Sequence, residues 1–198
     1  MSKFHDPYVD RQTGVLRNLV GATSRSVLNA AESDLTFARA TQLRKLHIPC
    51  TNDLTELRAI HHHLFQDVYD WAGQIRTVDI RKNTEGAEAF APVAMIERSA
   101  GYATEALHED GLLRDLARDR LIERLAFHYD QFNYLHPFRE GNGRTQRVFW
   151  GRLVRDAGYL LDWRDVTGEV NDAACHAAAA GDLNPLVTMF DALVMELP

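Results

Sequence analysis

The chain has 198 residues, 45% of them hydrophobic and 25% charged, with 22 basic against 28 acidic side chains and a net charge of −6. That size and balance describe one globular domain with a real core, and the acidic excess argues against nucleic acid or an anionic membrane as direct partner. Two distant cysteines, Cys50 and Cys175, lack metal-ligand spacing, the N-terminus is not signal-like and no apolar run reaches membrane length, so the expectation is a reduced cytoplasmic protein whose cysteines are small buried hydrophobes.

Residues 1–22 are turn-rich and read as an extended N-terminal arm. From Thr23 or Ser24 as N-cap, a first helix is predicted to about His47, with Pro49 ending it. A second opens at Asn52 or Asp53 and carries Leu54, Leu57, Ile60, Leu64 and Val68 at three- and four-residue steps. His61, His62 and His63 lie on it; neighbours about 100° apart cannot close on one ion, so they read as exposed or half-buried histidines.

After Trp71-Ala72-Gly73, the segment Gln74 to Arg81 alternates and is rich in β-branched residues. Asn83 to Gly86 supplies a turn, and Ala87 to Phe90 returns as a second strand, giving a hairpin over 75–91. Pro92 starts a helix to about His108, and Gly111 breaks it. Helices at about Asp119 to Leu135 and Asn142 to Ala157 follow, Gly158 fits the position just past a helix end, and helices near Val170 to Ala180 and Pro185 to Leu197 close the chain. The expected architecture is a single all-α domain over 1–198, a compact bundle of seven to eight helices with one short β-hairpin.

The densest chemistry lies between two of those helices, within 119–157: His136-Pro-Phe-Arg-Glu-Gly-Asn-Gly-Arg-Thr-Gln-Arg147. Pro137 forces His136 out of the preceding helix, so the imidazole projects from a packed helix end. Gly141, Asn142 and Gly143 can aim successive backbone N–H groups one way at the next helix N-terminus, an anion cradle whose usual guest is phosphate. Arg144 and Arg147, three apart, share a helix face and extend the positive field. Glu140 would repel a bare phosphate, a conflict removed by a divalent cation; carboxylate plus phosphate oxygens is the coordination Mg²⁺ prefers. His136 can then accept a proton from an incoming hydroxyl.

This stretch resembles the Fic motif, with every fixed position filled, and the likeness extends to the Leu16-Arg17-Asn18 lead-in and to Gly181-Asp182-Leu183. The resemblance implies a protein adenylyltransferase of the Fic fold using ATP and Mg²⁺. His136 would be the general base, Phe138 a core anchor, Glu140 the metal carboxylate and Gly141, Asn142 and Gly143 the α- and β-phosphate binders, with Arg144 near the β- and Arg147 near the γ-phosphate. The hairpin at 75–91 would be the flap, whose Val78, Asp79, Ile80 and Phe90 dock the target by strand addition. Such proteins are commonly inhibited by a glutamate motif: serine or threonine, three free residues, glutamate, then glycine or asparagine. The nearest match, Thr84 to Glu88, is followed by Ala89 and fails. The resemblance therefore implies a toxin whose brake comes in trans from a small helical antitoxin, with DNA gyrase or topoisomerase IV as targets. Transfer of phosphate or phosphocholine, and a non-catalytic nucleotide-binding module, remain the alternatives.

Overall fold

A computed structural model of the protein describes residues 6–43, 45–81 and 89–197. Among them seven α-helices follow one another: α1 (Arg25–Gln42), α2 (Leu54–Phe65), α3 (Ile96–Glu109), α4 (Arg118–Leu135), α5 (Asn142–Asp156), α6 (Gly168–Ala179) and α7 (Asn184–Leu193). Central α4 buries Leu121, Leu125, Phe132 and Leu135 on one side and Ile122, Ala126 and Tyr129 on others, a wrap that follows from packing against α3, α5, α6 and α7 together. Phe132 and Tyr129 meet Phe149, Trp150 and Phe190 in edge and stacked contacts that fix how α4, α5 and α7 cross. No helix of the described residues is long and apolar enough to cross a membrane.

Capping explains the helix starts. Ser24 accepts from Val27 N on α1, and Asp53 accepts from Thr55 N and Glu56 N on α2. Helix α1 stops at Gln42 rather than near His47, because the chain tightens into i−3 turns, with Lys45 N on Gln42 O and Leu46 N on Leu43 O. Helix α2 likewise stops at Phe65, and Val68 stays in the core from the turn that follows. The final helix ends at Leu193 rather than Leu197. Val194–Glu196 instead pairs antiparallel with Tyr159–Leu161, Leu161 opposite Val194, so a second strand replaces the last helical turn. Gly158, at φ +94°, turns the chain from α5 into that pairing.

Two other expectations change. Between Gln74 and Phe90 the described residues form a single bridge, Arg81 to Ala89, not a ladder; the expected turn at 83–86 and the start of its second strand, Ala87 and Glu88, lie outside the described residues. Cys50 is exposed and only Cys175 is buried; the Cys50 sulfur accepts from Arg152 Nη2 at 2.8 Å. The N-terminal arm does pack: Tyr8 lies edge-on to Trp71 at 5.3 Å, and Leu19 N donates to Val68 O at 2.8 Å.

Candidate active site

His136 follows α4 with φ 39° and ψ 58°. Proline after it forbids the right-handed helix, and the left-handed region it adopts costs a non-glycine residue about 1–2 kcal/mol. Neighbours hold it there: Arg76 Nε donates to His136 O at 2.8 Å, and the ring stacks on Phe90 at 3.7 Å and 13°. The loop beyond is tied from inside. Phe138 is buried, its N–H donates to Asn142 Oδ1 at 2.9 Å and Asn142 Nδ2 returns to Phe138 O at 2.8 Å. Asn142 thus spends its side chain closing the loop, which leaves its backbone amide as the donor it can offer an anion.

Helix α5 begins on Gly141 at φ 80°, and an added Cβ there would come within 2.3–2.9 Å of the Phe65 ring, so only glycine fits. The helix's first turn closes with Thr145 N on Gly141 O at 3.1 Å, which leaves the amides of Asn142, Gly143 and Arg144 ahead of the intrahelical ladder. At Gly143 a Cβ would meet nothing within 4 Å, so that side of the helix mouth is open. Glu140 lies beside it, its side chain 44% exposed, with Oε1 accepting from Gly141 N at 2.9 Å and 3.7 Å from Arg144. The arginines diverge. Arg144 pairs with Glu32 and lies over Phe65 at 4.8 Å; Arg147 lies over Trp163 at 5.0 Å. An imidazole, a carboxylate, open helix amides and two guanidinium groups therefore stand within one loop and the first two turns of the helix it opens.

Comparison with known proteins points to one family. The Fic/DOC family model matches residues 51–153. "Probable protein adenylyltransferase Fic" of Salmonella typhimurium is 38% identical over 191 residues, covering 96% of this chain and 93% of that protein. The chain belongs to the Fic/DOC family. "Protein adenylyltransferase VbhT" of Bartonella schoenbuchensis is 41% identical over 80% of this chain, which spans 33% of that longer protein. Among solved structures, the type IV secretion system effector BepA superposes with a TM-score of 0.86 at 30% identity, covering 94% of this chain and 68% of that one. The N-terminal Fic domain of a VirB-translocated Bep effector from Bartonella quintana, with bound ADP, does so at 0.87 and 26%, covering 96% and 94%.

Two residues that sequence reasoning passed over support the Fic loop, and the reading of the α2 histidines changes. Arg76 is 1% exposed; besides His136 O, its guanidinium donates to Val78 O at 2.8 Å and to Ala91 O, while its own N–H donates to Pro137 O at 2.8 Å. It ties Val78 and Ala91 to His136. The available signal was its place in the alternation, on the side shared by Val78 and Ile80. Glu32, on the buried side of α1 with Leu28 and Thr36, receives Tyr69 Oη on one oxygen and Arg144 on the other; burial and the Glu32 carboxylate push the Tyr69 phenol far up. His61 and His63 are buried and only His62 is exposed, because α2 packs between α1 and α5. His61 falls at helical spacing with Leu57 and Leu64, which marked it as a core position.

Of the expected docking residues, Phe90 stacks on the His136 ring. Val78 packs partly buried against the core, Asp79 Oδ1 accepts from Val93 N at 2.8 Å, and Ile80 is half-buried. The arm also reaches the loop, where Asp6 pairs with Arg139 at 2.8 Å.

Proposed function

We propose that this Fic/DOC protein is a protein adenylyltransferase that moves AMP from ATP to a hydroxyl side chain of a target protein. The observation that carries the reading is a histidine held at the end of α4 just ahead of the open amides of α5, with Arg144 on the first turn of that helix and Arg147 on its second. The target oxygen attacks the α-phosphorus, its proton passes to His136, and the bond to the bridging oxygen breaks so that pyrophosphate leaves. Such in-line transfer needs positioning and charge neutralisation more than covalent catalysis. The amides of Gly141, Asn142 and Gly143 would hold the α- and β-phosphates, Arg144 the β- and Arg147 the γ-phosphate. The 38% identical relative is named for this activity, and a Bep Fic domain 26% identical carries ADP.

Glu140 fits the Mg²⁺ role by its chemistry. It is a partly exposed carboxylate at a helix mouth, and with phosphate oxygens and water it completes the hard oxygen set the ion takes. Bound there, the ion would neutralise phosphate charge as pyrophosphate departs. The flap residues Val78, Asp79, Ile80 and Phe90 would align the target segment; the stack of Phe90 on His136 supports this by placing that region against the base. We further propose a toxin restrained in trans. Among the described residues no carboxylate pairs with Arg147, whose neighbour is Trp163, so a glutamate from a small helical antitoxin has a guanidinium to meet. Type II topoisomerases, gyrase and topoisomerase IV, are the targets the family resemblance suggests.

The test is mass spectrometry of purified gyrase and topoisomerase IV, and of a cell lysate, after incubation with the protein, ATP and Mg²⁺. An added AMP on a tyrosine, serine or threonine supports the reading. A phosphate or phosphocholine adduct, or no adduct with ATP bound, overturns it.

A further inference from the structure

His61 has no part in the chemistry above, yet both of its nitrogens are spent on backbone. It is fully buried. Its Nδ1 accepts the Gly73 N–H at 2.8 Å, which fixes the proton on Nε2, and Nε2 donates to the Glu140 carbonyl at 3.0 Å. The ring lies between Phe65 at 4.6 Å and Phe138 at 3.9 Å, nearly parallel to both. The Gly73 side of this bridge is rigid. Arg58 Nε holds Gly73 O at 3.0 Å, His62 Nδ1 meets Ala72 O at 3.1 Å, and a Cβ on Gly73 would fall 2.8 Å from His62 Cβ and 2.9 Å from Arg58 O.

In a trans peptide the carbonyl and the following N–H point in opposite directions. Holding Glu140 O inward therefore turns Gly141 N–H outward, where it now meets the Glu140 carboxylate. Gly141, with no side chain and φ 80°, offers little resistance to rotation of the peptide before it. A flip would put a carbonyl in place of the first donor of the cradle and face an anion with partial negative charge. We propose that His61 is the positioning residue that locks the Glu140–Gly141 peptide with its N–H toward the nucleotide phosphates. The inference rests on the phosphate-holding role proposed for 141–147. Burial holds the imidazole neutral by lowering its pKa to about 3, so the donor–acceptor pairing persists across the working pH range.

Two polar variants separate the Glu140 bond from the rest. In His61→Asn the short amide can serve Gly73 N–H but not reach Glu140 O, whereas in His61→Gln the longer one can donate to Glu140 O. Titration calorimetry with ATP and Mg²⁺, on each variant well below its melting temperature, is expected to show affinity at least ten-fold weaker in His61→Asn and within three-fold of the parent in His61→Gln. Both variants binding as the parent does would overturn the proposal, and so would both weakening equally, since the loss would then follow the missing ring. A parent that binds ATP but labels no protein sinks the adenylyl-transfer reading alone, and the affinities still decide the role of His61.

Discussion

Arg76 gives the sharpest prediction about the fold beneath the site. Arg76→Met keeps the apolar stem and removes the guanidinium, leaving the carbonyls of His136, Val78 and Ala91 without the donors they have now. Each stranded acceptor costs about 1–3 kcal/mol, so three give on the order of 3–9 kcal/mol. Removing a buried cation also removes its desolvation penalty, the penalty that lowers the Arg76 pKa. Asp79, 3.8 Å away and 74% exposed, is screened and adds little. The expected net loss is about 3–5 kcal/mol, a large fraction of a typical domain's stability. Arg76→Lys, which restores a cation but not the fork, should recover less than half of it. Urea unfolding followed by circular dichroism measures both. A loss below about 1 kcal/mol in Arg76→Met would refute the idea that this side chain joins Val78 and Ala91 to His136.

Gly141→Ala places a methyl group into the Phe65 ring at positive φ and should cost about 2–4 kcal/mol, read as a lowered urea midpoint. Arg147→Ala should leave the melting temperature nearly unchanged, because its described contact is one stack on Trp163, while weakening ATP about ten-fold or more in calorimetry as a charge-assisted bond is lost. Burial lowers the His61 pKa from 6.5 to about 3, so between those values the unfolded chain binds a proton the folded one refuses. Stability carried by this group is complete above pH 6.5 and falls as pH drops toward 3, by on the order of 1.4 kcal/mol per pH unit. Urea midpoints at pH 7 and pH 5 should differ less in His61→Gln than in the parent, and an unchanged difference would remove this assignment.

How far the sequence could be read depended on whether local chemistry or a distant partner decided each element. The turn from α4 to α5 was legible because Pro137 and Gly141-Asn142-Gly143 enforce it locally, and α5 begins at Asn142 as expected. Helix α2 was legible in its apolar steps but not in the burial of His61 and His63, which depends on α1 and α5 closing over it. The C-terminus misled because Leu186, Phe190, Leu193 and Leu197 keep a helical rhythm, whereas Tyr159–Leu161 offers an edge that takes Val194–Glu196 as a strand; a partner about 35 residues away outweighed local period. In Gln74 to Arg81, alternation suggested pairing, but among the described residues Thr77 N bonds the Tyr8 hydroxyl and Val78 O takes the Arg76 guanidinium instead. Motif positions suggested a chemistry through their own residue types. Glu32 and Arg76, which hold those positions, lie in elements whose patterns speak only of packing.

The most direct test is whether His136 is the base. His136→Ala, compared with the parent for AMP transfer from labelled ATP to lysate protein and for thermal unfolding, should lose transfer by at least a hundred-fold while still unfolding cooperatively. Transfer at the parent rate by a folded His136→Ala protein would contradict the account.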